Sequence, residues 1–310
     1  NIRQYPRAAV AALALALGTP THAQCVSDLL VPTPSLDSIG STATAHADFD
    51  GDGDQDVAVT NFDTDTVSIF LNDAGTLTLA ETVDTGFGPI DVEAGDLNQD
   101  GGVDLVVANF FGDSGDVSVL LGDGDGTFTT ANALSAGLGA ADIILGHFDD
   151  NDFLDIVVVN EGGFDGLNNG ALIFRRSGPD SFPPAATILS TSTNQPTSGD
   201  AADLDDDGDL DLAIGGNGLF GIPGGNVRIL ENDGTGNFTS IATPGAGHGV
   251  VDTVTADLDG DGAPDILTAN ADDDTLSFLR NRGDGTFDPD RTLDTPDNPR
   301  AVTAADVDGD

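Results

Sequence analysis

The sequence predicts an all-β fold, a β-propeller of four-stranded antiparallel blades. A nine-residue acidic pattern recurs along the chain, and its copies begin at positions 48, 96, 147, 203, 257 and 306. Short apolar runs bounded by Gly, Asp and Asn fill each interval, as in strands. A period near fifty residues is typical of repeat arrays and propellers, and no long helical periodicity interrupts it. We therefore expect five complete blades and a partial sixth.

The composition excludes several partners. The 310 residues include 54 acidic and 9 basic side chains, which gives a formal net charge of -45. Nucleic acids and anionic membranes are themselves negative, so neither is an expected partner. A hydrophobic content of 38% argues against disorder. Two interpretations of the acidity remain, a very soluble surface or carboxylates neutralised by bound cations.

The first 23 residues have the pattern of a secretory signal peptide. Arg3 and Arg7 precede an apolar run at 8–17, and Ala23 is a small residue suited to cleavage. The run is too short to span a bilayer. We therefore expect a secreted or cell-surface protein whose mature part is 24–310. Its single cysteine permits no internal disulfide.

Each repeat has the same order of predicted strands. One strand precedes the acidic loop, as at 254–256, and an apolar run such as 57–59 follows it directly. A further run such as 67–71 comes next, and a Gly/Asp turn leads to the last strand. Runs that are apolar at successive positions indicate burial on both faces, which blades packed face to face provide. The repeats are predicted to start near residues 41, 89, 140, 196, 250 and 299.

The loops carry oxygen ligands at alternate positions. Positions 1, 3, 5 and 9 bear carboxylates or an amide, position 6 is Gly, and position 7 can offer its carbonyl. Calcium binds six to eight such oxygens, and without a cation the carboxylates would repel one another. We therefore predict about four strong calcium sites. The predicted ligand residues are Asp48, Asp50, Asp52, Asp54, Asp56, Asp96, Asn98, Asp100, Gly102, Asp104, Asp203, Asp205, Asp207, Asp209, Asp211, Asp257, Asp259, Asp261, Ala263 and Asp265.

The third loop, 147–155, departs from this pattern. His147 replaces the first Asp, Asn151 stands fifth, and Asp152 takes the place of Gly. Histidine is a poor calcium ligand, so a weak or empty site is expected around Asp149 and Asp155. An EF-hand is excluded throughout, because that motif needs a Glu at position 12 and flanking helices. The alternative to metal binding is that the loops are solvated turns, where Asp and Gly are common.

Three features together resemble the FG-GAP/VCBS repeat family. They are the pattern Asp-x-Asp-Gly-Asp-Gly-x-x-Asp, the apolar strand after it, and the segment Val-Ser-Val-Leu-Leu-Gly-Asp-Gly-Asp-Gly-Thr-Phe at 117–128. The resemblance covers roughly residues 40–310. It implies a β-propeller similar to the head of integrin α-subunits, with calcium bound in the hairpin between the first two strands of a blade.

These observations favour a binding or adhesion module that holds a protein or glycan partner on a propeller face, and they predict no enzyme. One alternative is a lectin, against which the absence of Trp and the single Tyr count. The other is the propeller part of a secreted polysaccharide-degrading enzyme. No constellation of catalytic residues outside the repeated pattern is identified in the sequence.

Overall fold

The computed structural model describes residues 40–111, 116–131, 133–137, 139–162, 170–179, 187–188, 195–217 and 225–305. Every regular element in these ranges is a β-strand, so the all-β prediction is confirmed. No helix there is long and apolar enough to cross a membrane. The predicted signal peptide and the sixth acidic loop lie outside the described residues.

The strands form antiparallel sheets in which strands adjacent in sequence are adjacent in space. The first sheet contains β1 (Ser41–Ala47), β2 (Asp56–Asn61), β3 (Thr66–Asp73) and β4 (Thr76–Asp84). The second contains β5 (Pro89–Gly95), β6 (Asp104–Asn109), β7 (Asp116–Gly122) and β8 (Phe128–Thr130), and the short β9 (Leu134–Ser135) follows.

Three further sheets follow the same order. The third contains β10 (Ala140–Gly146), β11 (Asp155–Asn160), β12 (Gly170–Phe174) and β13 (Thr187–Ile188). The fourth contains β14 (Pro196–Ala202), β15 (Asp211–Gly216), β16 (Gly225–Asn232) and β17 (Phe238–Ala242), and β18 (Gly245–Ala246) also pairs with β16. The fifth contains β19 (Val250–Ala256), β20 (Asp265–Asn270), β21 (Thr275–Leu279) and β22 (Arg291–Asp294).

The second strand of each sheet is its most buried element. All six residues of β2, β6, β11 and β15 are buried, and five of the six residues of β20 are. These strands carry the apolar runs that follow the acidic loops, and burial on both faces explains why successive positions are apolar. The acidic loops are therefore attached to the most buried strand of each sheet.

The sheets belong to two compact units, each with its own core. The first unit contains the first and second sheets, and Ile69, Leu105 and Leu120 are fully buried there. The second unit contains the third to fifth sheets. Its core has one cluster around Val157 and Leu212, and another formed by Leu204, Ala213, Val227, Ile229, Ile266 and Leu279.

Candidate metal centres

Each acidic loop connects the first two strands of its sheet. In every sheet the residue before the loop pairs with the ninth loop residue, as Ala47 pairs with Asp56 and Ala256 pairs with Asp265. The loop is thus a hairpin connection held at both ends by the strand ladder. Four of the loops share one backbone arrangement, which the carboxylate at their first position organises.

The first Asp caps the turn with both of its oxygens. Asp48 accepts the Gly51 N–H on Oδ1 at 2.7 Å and the Gly53 N–H on Oδ2 at 3.0 Å. The first Asp of the second, fourth and fifth loops accepts the N–H of position 6 in the same way. Position 6 has φ between 91° and 97° in these loops, a conformation that Gly adopts without steric cost. The positive φ at position 6 therefore explains why Gly recurs there.

The third and fifth positions continue this pattern of local bonds. In the first loop Asp50 Oδ1 accepts the N–H of Asp52 at 3.2 Å, and Asp52 Oδ1 accepts the N–H of Asp54 at 2.8 Å. The same two bonds recur in the other four loops. One oxygen of each side chain is thereby used within the loop.

The ninth Asp is a buried clamp in all five repeats. Asp211 is fully buried, and it accepts the Leu204 N–H on Oδ2 at 3.0 Å and the Asn232 N–H on Oδ1 at 2.9 Å. It thus ties the start of the loop to the end of the third strand. Asp56, Asp104 and Asp265 bond in the same way to the second loop residue and to the end of the third strand. In the third repeat Asp155 accepts the N–H of Arg176 at 2.7 Å.

Burial makes two of these carboxyls weak acids. It raises the pKa of Asp211 to about 6, although the N–H groups of Asn232 and Leu204 favour the ionised form. Burial also raises the pKa of Asp155 to about 6. The ordinary value is 3.8, so the stability that comes from protonation of these two carboxyls in the folded state is full below about pH 4 and is lost as the pH rises through about 6. At neutral pH a nearby cation would offset this loss.

Three loops bring three carboxylates together. Oxygens of positions 1, 3 and 9 lie within 4.8 Å of one another in each of the sets Asp48, Asp50 and Asp56; Asp203, Asp205 and Asp211; and Asp257, Asp259 and Asp265. Calcium–oxygen distances are about 2.3 to 2.6 Å, so oxygens on opposite sides of one ion lie about 4.6 to 5.2 Å apart. The spacing and the oxygen chemistry both fit calcium.

The other predicted ligands lie in the same loops but outside these three clusters. The position 7 side chain of the first loop bonds outside the loop, since Asp54 Oδ2 accepts the N–H of Ala74, in the turn between β3 and β4, at 2.8 Å. In the second loop position 3 is an amide, and Asn98 Nδ2 donates to Asp100 at 2.9 Å. Gly102 and Ala263 have only backbone oxygens to offer, and the remaining predicted residues outside the clusters are Asp52, Asp96, Asp100, Asp104, Asp207, Asp209 and Asp261.

The third loop has a different backbone. No residue of 147–155, all of which are described, has a positive φ. The ring of His147 replaces the capping carboxylate, and its Nδ1 lies 3.3 Å from the carbonyl oxygen of Phe153. Asn151 Nδ2 donates to the carbonyl of Arg176 at 2.8 Å. Within the described residues this loop forms no cluster of three metal-ligating side chains.

A guanidinium group occupies part of the fifth loop. Arg280 Nε pairs with Asp259, and its Nη2 lies 2.8 Å from Asp261 Oδ2. The hydrogen bond and charge of Asp259 raise the pKa of Arg280 above its ordinary value. The loop thus already holds one positive group, which is an independent sign that its carboxylates attract cations. Sequence reasoning missed this residue, because the pairing depends on the register of β20 and β21.

Sequence reasoning also gave no role to a histidine–aspartate pair at the other end of the fifth sheet. His248 Nδ1 lies 3.1 Å from Asp273 Oδ1, and the same carboxylate accepts the His248 backbone N–H at 2.7 Å. Both side chains are partly exposed, at 45% and 38%. The only signal in the sequence is a histidine beside an exposed turn, which is too common to be diagnostic.

The first and fourth loops each also receive a turn from the following sheet. The carbonyl of Leu204, the second residue of the fourth loop, accepts Gly285 N–H at 3.2 Å and Asn281 Nδ2 at 2.8 Å. In the same way the carbonyl of Phe49 accepts the N–H of Gly126 at 3.0 Å. The Phe49 ring packs edge-on against a ring of that next sheet, Phe128, at 5.5 Å. The hairpin loops therefore also join neighbouring sheets within each compact unit.

The comparison with protein families matches the FG-GAP-like repeat to this chain five times. The matched segments are 48–107, 96–158, 147–214, 219–268 and 257–310. The family resemblance predicted from the loop pattern is therefore confirmed. No curated protein matches the chain in sequence.

Solved structures of similar fold are named as lactonases. The periplasmic gluconolactonase of Pseudomonas aeruginosa has a TM-score of 0.59 and 15% identity, over 87% of this chain and 76% of that one. A candidate 6-phosphogluconolactonase from Bacteroides fragilis has a TM-score of 0.48 and 16% identity, over 86% and 87%. At such identity the first likeness shows the fold alone, and it supports the β-propeller prediction.

The same comparison corrects two expectations about function. We predicted a binding or adhesion module, with a lectin as one alternative, and we predicted that the chain is not an enzyme. Both predictions are contradicted, because the Pseudomonas aeruginosa structure with a similar fold bears the name of an enzyme, a gluconolactonase. The physical reason for the error is that the repeated pattern encodes blades and loops, whereas an active site need not repeat.

Proposed function

Because the chain belongs to the family of FG-GAP-like repeats, we propose that its acidic hairpin loops bind calcium and that these ions stabilise the propeller. One observation carries the proposal. The same three loop positions place carboxylate oxygens within 4.8 Å of one another in three separate repeats. Such a group of like charges is unfavourable without a cation, and its oxygens suit a hard ion. The second loop, with Asn98 in place of one carboxylate, is proposed as the fourth site.

We also propose the blade architecture in full. Each described sheet is one blade of a propeller that spans 24–310, and a sixth repeat begins near residue 299. A contact at the end of the described chain supports the sixth repeat, because Val302 N–H donates to the Asp252 carboxylate at 2.7 Å. The equivalent bond between the fourth and third sheets joins Gly199 N–H to the Asp142 carboxylate at 2.6 Å.

Export from the cytoplasm belongs to the same proposal. The basic start, the short apolar run at 8–17 and the small Ala23 support a signal peptide. Millimolar calcium is an extracytoplasmic condition, and sites of this kind suit it. The exclusion of nucleic acids and anionic membranes as partners stays a prediction from the net charge of -45.

The difference between the third loop and the fourth gives the first test of calcium binding. We expect Asp205→Ala to remove one bound ion, because Asp205 belongs to a three-carboxylate cluster. Asp149→Ala, the equivalent change in the third loop, is the matched control and should leave the number of ions unchanged. Calcium titration by calorimetry, with both variants checked for folding by circular dichroism, measures the stoichiometry. Equal losses in the two variants would contradict the proposed difference between the loops.

A second candidate function is hydrolysis of a sugar lactone. The fold shared with a protein named as a gluconolactonase supports it. The His248–Asp273 pair supports it further, because a carboxylate that orients an imidazole is an arrangement suited to general-base activation of water. The pair is exposed and lies away from the acidic loops, so calcium would stabilise the scaffold without entering the reaction.

Acid release from glucono-1,5-lactone, followed in a pH-stat against the spontaneous rate, tests this candidate. We expect hydrolysis faster than in buffer alone, and a loss of about 100-fold in the catalysed rate for His248→Gln. His46→Gln changes another exposed histidine and serves as the control. Hydrolysis no faster than in buffer would exclude this function for the substrate. Catalysis that is unchanged in His248→Gln would mean that the active site does not include His248.

A further inference from the structure

One register position lies near the end of the third strand of every sheet, and its residue type changes from sheet to sheet. It directly precedes the residue whose backbone N–H bonds to the ninth Asp. The residues at this position, from the first repeat to the fifth, are Leu71, Leu121, Arg175, Glu231 and Arg280. The position is thus neutral, positive or negative, depending on the repeat.

We propose that Arg280 is a built-in counter-cation that competes with calcium for the fifth loop, and that this register position sets the cation affinity of each loop. The inference rests on the proposed calcium binding and adds a ranking of the sites. It predicts that the fourth loop, beside Glu231, binds calcium most tightly and that the fifth loop binds it less tightly than the first.

The contacts of Arg280 show how the competition arises. Its guanidinium pairs with Asp259 Oδ2 and Asp261 Oδ2. The other oxygens of these carboxylates, the two Oδ1 atoms, accept the backbone N–H groups of Asp261 and Ala263 at 3.3 and 3.0 Å. Both oxygens of each side chain are therefore engaged. Because Asp259 is one of the three clustered carboxylates, a calcium ion that used its Oδ2 would have to displace the guanidinium.

The fourth loop shows the opposite case. Asp205 and Glu231 line the same cavity. Glu231 therefore adds negative charge to a cluster that has no such guanidinium contact among the described residues. In the first loop Leu71 adds no charge. A negative side chain beside a loop favours the binding of a cation, and a positive one opposes it. The calcium affinity should therefore fall from the fourth loop to the first and from the first to the fifth.

The Arg280 side chain is 37% exposed, so the ion pairs it makes are screened and each is weak. Two such pairs correspond to a competition of about five- to tenfold. We therefore expect Arg280→Leu, which introduces the residue found at Leu71 and Leu121, to raise the calcium affinity of one site by about that factor. In chelator the same variant should melt at a lower temperature than the parent, because the loop loses its only internal counter-charge among the described contacts.

The matched control is Arg282→Leu. Arg282 lies two residues further on, carries the same charge and pairs with Asp288 outside the loop. Calorimetric calcium titrations and melting curves in calcium and in chelator are recorded for the parent, both single variants and Arg280→Leu in an Asp257→Ala background. The expected result is tighter binding and a larger calcium-dependent rise in melting temperature for Arg280→Leu only. The gain should vanish in the Asp257→Ala background, since that change disables the same loop.

Two results would overturn the inference while calcium binding itself stands. One is an unchanged affinity in Arg280→Leu although Asp205→Ala still removes an ion. The other is an equal loss of melting temperature in calcium and in chelator, which would mean that Arg280 only packs. If neither the parent nor any variant binds calcium, both the proposed function and this inference are wrong.

Discussion

Removing calcium is expected to lower the free energy of unfolding by about 3 to 7 kcal/mol. A ligand that binds only the folded state stabilises it by RT ln(1 + [L]/Kd), and extracellular modules bind calcium with Kd of about 0.1 to 1 mM. At about 2 mM free calcium each site then contributes roughly 0.7 to 1.8 kcal/mol, and four sites give the stated range. Many folded domains have a net stability of about 5 to 15 kcal/mol, so the effect would be a large part of the total.

Salt should restore part of this loss. Without calcium the clustered carboxylates repel one another, in a chain whose net charge is already -45. Screening by sodium chloride weakens that repulsion, because the Debye length falls from about 10 Å at 0.1 M to about 3 Å at 1 M. The measurement is a set of melting curves in calcium and in chelator, each at low and high salt. Equal melting temperatures with and without calcium would contradict calcium binding and would mean that the loops are solvated turns.

The second large effect is expected from the buried clamp. Asp211→Ala should lower the free energy of unfolding by about 2 to 6 kcal/mol, because it leaves the N–H groups of Leu204 and Asn232 buried without an acceptor. Each such group costs about 1 to 3 kcal/mol. Asp155→Ala should also be destabilising, by about 1 to 3 kcal/mol, through the N–H of Arg176. Urea denaturation followed by circular dichroism measures both.

Measurements with and without calcium distinguish the structural role of the ninth Asp from its role as a calcium ligand. The loss in Asp155→Ala should be the same in calcium and in chelator, because its loop forms no three-carboxylate cluster among the described residues. Asp207→Ala, an exposed position in the same loop as Asp211, serves as the control and should change stability little in chelator. If Asp211→Ala were as mild as Asp207→Ala in chelator, the ninth Asp would be a ligand only and not a structural clamp.

Much of the fold was predictable because its signals are local. The run at 57–59 is apolar at successive positions, and it became part of β2, which is buried along its whole length. The Gly at position 6 predicted a sharp turn, and Gly53 has a φ of 95°. Such features depend on a few adjacent residues and on the chemistry of each residue type. They are therefore visible without knowledge of the neighbouring sheets.

The candidate site was less predictable because its partners are distant in sequence. The ninth Asp was predicted as a calcium ligand, and nothing local to it shows that both of its oxygens accept backbone N–H groups, one of them from the end of the third strand. Arg280 was missed because its loop partners lie about 20 residues earlier, across a strand pair. The enzyme question was misjudged for a related reason, since an active site is assembled from positions that no repeat marks.

The bonds from the fifth sheet to the loop of the fourth have a consequence for synthesis on the ribosome. The loop that begins at Asp203 receives its last backbone partners from Asn281 and Gly285, roughly 80 residues later in the chain. At about 5 to 20 residues per second, this loop waits about 4 to 16 s for them during translation. While the fifth sheet is being made, the nascent chain therefore carries this acidic hairpin without its last backbone partners.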